Sequence, residues 1–383
     1  MKKKIYYWSP CLTKIGTIKS TINSAVAMAN YGKVKFDVYL INSCGEWDEH
    51  IDYLSDKNVN LINFRFRFFK YLPKNGFLKS RISYCLIYLF SFIPLLKLLR
   101  KNKPDFFIAH LITSLPLTLL KFFKFETEFI LRISGMPKLN LFRKAFWKSL
   151  NSKLKIITCP TNELKNQLIK DKIFDSSKIF YLQDAILNIE EFIQNSKLND
   201  INISYADNKK IIFAAGRLTR QKNFSYLINE FNNFPENEDY ILIIIGDGEE
   251  REKLTKIIKR NKLENKVFLV GYVKNIFKYF LRGNLFILSS LWEEVGFVLV
   301  EAALSNLFII SSDCPNGPKE FLNFGKNGIL FKSNISGELT KSLTDFNKRL
   351  SYKSDLYALK KNAMKYTKFR HFTVLNNIIC RQR

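Results

Sequence analysis

Acidic residues are scarce in this chain: 34 Asp and Glu stand against 61 Lys and Arg in 383 residues, a formal net charge of +27. Histidine is scarcer, at three residues, and no Asp-x-Asp pair occurs, so a divalent metal held by paired carboxylates is not expected. The six cysteines (Cys11, Cys44, Cys85, Cys159, Cys314, Cys380) are scattered and form no Cys-x-x-Cys, which signals neither a zinc site nor a disulfide framework. Scattered thiols fit a reducing cytoplasm. With 15 Gly and 10 Pro the chain is neither collagen-like nor linker-rich, and it has no short-period repeats. Long hydrophobic runs are missing too. Tyr84–Leu99 comes nearest, but Ser91 and Pro94 interrupt it and it is shorter than the ~20 residues that span a bilayer; it reads as a buried or surface-lying helix. Met1-Lys2-Lys3-Lys4 is basic, yet Ile5–Trp8 reads as a strand rather than as the core of a secretion leader.

What is present is apolar material: 47% hydrophobic residues, 15% aromatic, and 35 Phe. That excludes a disordered chain, and the length suggests two or three domains at about 150 residues each. The charge is uneven. Residues 51–150 hold 18 Lys and Arg against 5 Asp and Glu, a net of +13. Within them Phe64-Arg65-Phe66-Arg67-Phe68-Phe69-Lys70-Tyr71 interleaves cations with rings. Such a face suits an anionic membrane, would also meet nucleic acid phosphates, or is simply a solvated basic surface with Phe turned inward.

Short β-rich runs alternate with helical patterns, which predicts parallel sheets with crossover helices. In the first half strands are expected at 4–8, 35–41, 105–110, 128–133 and 155–159. A helix is expected at 17–30, and another opens after Thr161 as its cap. Residues 187–209 are the least patterned and read as a linker. A second series follows, with strands at 211–215, 240–245, 267–269, 285–288 and 307–311. Its helices are expected at 224–231, 249–260, 297–303 and 318–324, before a helical tail over 352–379. Ligands of such sheets bind beyond the carboxyl ends of the strands.

Two segments there carry chemistry. Ile211–Asn223 reads as a strand, then Gly216, then the cations Arg217 and Lys222. Gly216 would let backbone approach a diphosphate, and two cations can neutralise a departing diphosphate without a metal; the alternative is an ordinary turn with solvated charges. Ser289–Ala303 holds Glu293 and Glu301 around Gly296, which opens a helix whose free amides favour an anion. Glu301 would meet a ribose diol and Glu293 a sugar hydroxyl; the alternative is a capping box on a structural helix.

Taken together, Gly216-Arg217-Leu218…Lys222, Gly246-Asp247-Gly248 and Glu293…Glu301 resemble the retaining glycosyltransferases of the two-Rossmann GT-B fold, family four. The likeness covers residues 211–331 closely and the first 180 loosely. It implies an α/β fold of two Rossmann-like domains facing a cleft: 1–190 on the acceptor side, 191–365 on the nucleotide-sugar side, and a C-terminal helix, 366–383, returning to the first domain. It implies that Arg217 and Lys222 hold the donor diphosphate with the Phe297 and Val298 amides, that Glu301 binds the ribose and Glu293 the sugar, and that Tyr272 and Val273 border the base. His110 would lie near the donor sugar, unless it is a satisfied structural residue. Gly16, in Thr13-Lys14-Ile15-Gly16-Thr17, stands where the family has a pair of glycines. Asp313–Glu320 either touches substrate or caps a helix. Arg132–Asn140 reads as a loop shaping the acceptor cleft, and His50 and His371 have no assigned role. The implied reaction moves a sugar from a nucleotide diphosphate sugar to a lipid-linked or glycan acceptor, with no cofactor, metal or nucleic acid. The enzyme would be cytoplasmic, peripheral on the anionic inner membrane face, in surface-polysaccharide synthesis. A sugar-nucleotide epimerase of the same fold and a basic nucleic-acid-binding protein are the rival readings.

Overall fold

Strands that are apolar along their whole length, such as Tyr240–Ile245 (Tyr-Ile-Leu-Ile-Ile-Ile), can be buried only in a sheet covered on both faces, and every named strand pair here is parallel. The computed structural model describes residues 1–11, 16–64, 66, 68–69, 72, 77–135, 140–196, 209–349 and 351–381, with the backbone alone for 77–80. The chain forms two units: Met1–Ile186 with Lys368–Arg383, and Leu187–Thr367.

The first unit is a seven-stranded sheet, made of β1 (Lys3–Trp8), β2 (Phe36–Asn42), β3 (Val59–Asn63), β4 (Phe106–Ala109), β5 (Glu128–Arg132), β6 (Ile156–Cys159) and β7 (Ile179–Tyr181). Their order is β3-β2-β1-β4-β5-β6-β7, so the winding reverses between β1 and β4. The period-two alternation of β1 builds both cores. Tyr6 and Trp8 join Leu95, Leu115, Leu131 and Trp147 on one face, while Ile5 and Tyr7 join Val26, Leu40 and Leu375 on the other. The C-terminal helix Lys368–Arg381 returns to this unit and packs along the first helix, Gly16–Tyr31.

The second unit has β8 (Lys210–Ala215), β9 (Tyr240–Ile245), β10 (Val267–Gly271), β11 (Leu285–Leu288), β12 (Phe308–Ser312) and β13 (Ile329–Phe331), ordered β10-β9-β8-β11-β12-β13. Here the reversal falls between β8 and β11. One core runs from Ile212 and Leu242 to Leu339 and Phe346.

Three expectations change. The stretch 187–209 is not one linker: Leu187 bridges to Thr367 and Ile189–Ser196 is a helix of the second unit, while 197–208 lie outside the described residues. The units therefore part at 186/187 and 367/368, where the sequence suggested 190/191 and 365/366. The apolar run is longer than expected. Phe77–Asn102 is one 26-residue helix with Pro94 inside it, and its 22 residues Arg81–Asn102 are long and apolar enough to cross a membrane.

Candidate active site

Three loops at the carboxyl ends of β8, β11 and β12 are laced together at the switch point of the second unit. The first starts at Gly216. With φ of +149° it occupies backbone space that suits glycine, and a Cβ there would stand 2.7 Å from Cε of Lys222. The missing side chain is therefore room for the Lys222 stem. Lys222 crosses from the β8 loop to the β11 loop and forms an ion pair with Oε1 of Glu293, which also accepts from Ser290 Oγ at 2.7 Å. Two backbone bonds and one hydroxyl hold the loops in register: Leu291 N donates to Gln221 O (2.8 Å), Gly317 N to Glu294 O (2.8 Å) and Ser289 Oγ to Lys222 O (2.8 Å). Asn316 Nδ2 donates to the carbonyl of Glu293 (3.2 Å). The segment 313–320 is thus tied to this loop, and a Cβ at Gly317 would collide with Glu294 O at 2.4 Å.

Gly296, φ +77°, is the N-cap of the helix Phe297–Leu304, and no side chain caps it. The capping-box alternative is therefore absent, and the first amides of the helix, Phe297 and Val298, have no acceptor within it. Glu293 and Glu301 are 7% and 5% exposed. Both are more enclosed than carboxylates standing at a helix mouth. Arg217, by contrast, is exposed.

The remaining predicted donor residues share the same sheet edge. Gly246 (φ +138°) and Gly248 serve packing: a Cβ would lie 1.9 Å from Gly216 O at the first and 2.5 Å from Leu218 O at the second. Leu218 N donates to Asp247 O (3.0 Å) and Glu250 N to Leu218 O (2.9 Å), so this turn braces the Arg217 loop. Asp247 itself is exposed, 3.7 Å from Arg251. Tyr272, 83% exposed, and half-buried Val273 follow β10, two strands from the switch point.

The first unit gathers a cluster of buried polar groups at its own switch point. His110 follows β4, and its amide donates to Trp8 O of β1 (2.9 Å). Its Nδ1 lies 2.9 Å from Thr21 Oγ1, and its Nε2 is bonded to Ser134 Oγ. Burial, with the Arg132 guanidinium behind it, drives its pKa down to about 3, with Asp184 pulling the other way. His110 is thus a neutral, doubly bonded group. Gly16 opens the first helix; Thr13, Lys14 and Ile15 lie outside the described residues. Of the predicted loop 132–140, residues 136–139 lie outside the described residues, and Arg132 is strand rather than loop. It ends β5, is buried, pairs with Asp184 and donates to Leu182 O (2.8 Å). Burial pushes the Asp184 carboxyl up, but Arg132 and the Ser20 hydroxyl (2.6 Å) outweigh it and hold it below the usual range. His371, left without a role by the sequence, completes this cluster: Nδ1 donates to Gln183 O (2.6 Å) and Nε2 meets Ser24 Oγ (2.7 Å). Among the described residues no group of His, Cys, Asp and Glu is arranged to hold a metal ion.

Residues 196–363 match the family model of glycosyl transferases group 1. Anabaena HepE, solved with UDP and glucose, superposes with a TM-score of 0.72 at 16% identity, over 99% of this chain and 100% of that one. The fold is GT-B. An uncharacterized glycosyltransferase of Methanocaldococcus jannaschii is 33% identical over 62% of this chain. The N-acetylgalactosamine-N,N'-diacetylbacillosaminyl-diphospho-undecaprenol 4-alpha-N-acetylgalactosaminyltransferase of Campylobacter jejuni is 25% identical over 54%. The matches cover 66% and 64% of those relatives' lengths, just under two thirds. Within this GT-B chain, sequence reasoning missed the partners Ser290, Asn316, Arg132 and Asp184. All but Asp184 sit inside segments it had singled out, though without these pairings. Arg132 and Asp184 are far apart in sequence and only the fold joins them.

Proposed function

We propose that this protein transfers a sugar from a nucleotide diphosphate sugar to a hydroxyl of a lipid-linked or glycan acceptor, with retention, in bacterial surface-polysaccharide assembly at the inner face of the cytoplasmic membrane. The observation that carries the reading is the Lys222–Glu293 pair bridging the β8/β11 switch point, with exposed Arg217 on one side and an uncapped helix start on the other. The pair fixes both side chains before a donor arrives, with Glu293 buried and Lys222 half-buried and able to donate to a further partner. The donor diphosphate takes Arg217, the remaining N–H bonds of Lys222 and the amides of Phe297 and Val298. Glu293 accepts from a sugar hydroxyl and Glu301 from the ribose. The bond between the anomeric carbon and the diphosphate oxygen breaks, the acceptor oxygen bonds on the face just vacated, and its proton passes to the departing diphosphate. Cations and helix amides stabilise the charge that develops there. The UDP held by HepE and the diphospho-undecaprenol substrate in the Campylobacter relative's name support this choice of donor and acceptor class.

Thermal shift with a panel of nucleoside diphosphates tests the donor side. Arg217→Ala, a change at an exposed side chain, keeps the ligand-free Tm and weakens diphosphate binding by about tenfold or more. An unaltered ligand shift removes Arg217 from the site. Labelled sugar appearing in a lipid or glycan product establishes transfer, whereas epimer interconversion without acceptor overturns it.

A further inference from the structure

The helix Phe77–Asn102 is apolar on two faces, one turned into the protein and one turned out. Its inward positions follow a four-residue ladder, Ser83, Ile87, Ser91, Leu95 and Leu99, all buried. Two of those five are serines, and Ser91 Oγ has no hydrogen-bond partner. The opposite face carries Ile82, Leu89 and Ile93, which are 58%, 59% and 53% exposed, with Phe90 beside them. The inner face is thus apolar apart from its two serines, while a second row of large apolar side chains stands exposed to water on the opposite face, where polar residues are expected. The apolar strip continues through Phe68, also exposed, whose ring lies 5.0 Å from that of Phe90. The helix contains no acid, and its five cations stand at its two ends: Lys79 and Arg81 at one, Lys97, Arg100 and Lys101 at the other.

We propose that the outer face of this helix lies in the plane of an anionic lipid bilayer, with Ile82, Leu89, Phe90 and Ile93 immersed among the acyl chains and Arg81, Lys97, Arg100 and Lys101 on lipid phosphates. An apolar centre between basic ends suits an anionic membrane interface, and with no acid in the helix nothing opposes the attraction of those ends to lipid phosphates. The helix is long enough to span, but Leu95 and Leu99 sit in the core of the first unit with Leu115 and Leu131. Crossing the bilayer would strip that core, so the in-plane arrangement is the one compatible with the fold. The inference deepens the reading of a membrane-borne acceptor and rests on it only for its purpose.

Flotation of the full chain with phosphatidylglycerol-containing vesicles, against vesicles of phosphatidylcholine alone, tests it. The wild type floats with the anionic vesicles and is released by high salt or alkaline carbonate. The double variant Leu89→Asp/Ile93→Asp loses about tenfold or more in vesicle affinity, and Lys97→Glu/Lys101→Glu loses preference for the anionic lipid. Both keep the wild-type circular dichroism and the thermal shift with nucleoside diphosphate, which reads the second unit without lipid and so separates this proposal from the donor reading. Absence of wild-type flotation, flotation of the apolar variant like wild type, or resistance to carbonate overturns the proposal. So does sedimentation showing a wild-type dimer that the apolar variant converts to monomer, since that face would then be covered by a second copy.

Discussion

Among the described residues the first unit encloses a fully buried ion pair and the second a part-buried one, and the two answer to different needs. Lys222–Glu293 joins two loops at a sheet edge and leaves an exposed arginine beside it. Arg132–Asp184 is surrounded by neutral partners, among them two histidines that burial keeps uncharged. A carbonyl can only accept, so the Gln183 bond fixes the proton of His371 on Nδ1 and leaves Nε2 to accept from Ser24. Burial and Arg132 lower the His371 pKa to about 4, against a slight pull upward from Gln183 and Asp184, and that of His110 to about 3. Both values lie below the ~6.5 of an unfolded histidine. Between the folded and unfolded values the unfolded chain binds more protons, so stability rises with pH through this window and is lost as pH falls below about 6.5. Each histidine contributes about 1.4 kcal/mol per pH unit there. Urea midpoints at pH 7 and pH 5 should therefore differ clearly for the first unit, and His371→Asn should flatten the dependence by about half whatever it does to the midpoint at pH 7. Equal wild-type midpoints at the two pH values would contradict the buried-neutral assignment.

At the scale of elements, the C-terminal helix shows how a distant segment completes a core. Leu375, Ile378 and Ile379 share the cluster of Ile5, Val26 and Leu182, and His371 reaches Ser24 on the first helix. Leu375→Ala should cost about 2–5 kcal/mol of first-unit stability, the range for emptying a well-packed leucine site. Denaturation followed by the fluorescence of Trp8, Trp47 and Trp147 would measure it, and a loss below about 0.5 kcal/mol would mean that the helix is only loosely attached. Much of this architecture was legible beforehand. Tyr240–Ile245 and Leu285–Leu288 stand where the sequence put them, because strands buried on both faces announce themselves as unbroken apolar runs. The missed strands β3, β7 and β13 are all sheet edges of three to five residues, where one-sided pairing relaxes the pattern. Thr161 caps its helix as expected, accepting from Leu164 N at 3.2 Å. The Gly216–Lys222 and Glu293–Glu301 segments were also visible, since each is local in sequence. That Lys222 would pair with Glu293, 71 residues away, and that Gly248 packs on Leu218, depend on loops meeting across strands, which no single segment encodes.

On the scale of the molecule, the two units own separate cores: among the described residues, the clusters of the first unit contain none of 187–367, and that of the second none outside it. Each sheet can therefore lose its packing without directly emptying the other's, and unfolding should not be a single two-state transition. The donor residues proposed above all belong to the second unit apart from Gly16 and His110, so a nucleoside diphosphate without its sugar should stabilise that unit selectively. At a hundred times its Kd such a ligand adds about 2.7 kcal/mol to whatever it binds. The tryptophans separate the two events, because Trp292 lies in the second unit and Trp8, Trp47 and Trp147 in the first. In a Trp292→Phe variant, fluorescence reports the first unit alone, while far-ultraviolet circular dichroism still reports both. Saturating nucleoside diphosphate should then move one circular dichroism transition upward and leave the fluorescence midpoint in place. If the fluorescence midpoint rises equally, the ligand is gripped by both units without needing its sugar, and Arg217, Lys222 and the start of the 297–304 helix hold a smaller share of the diphosphate than their geometry implies.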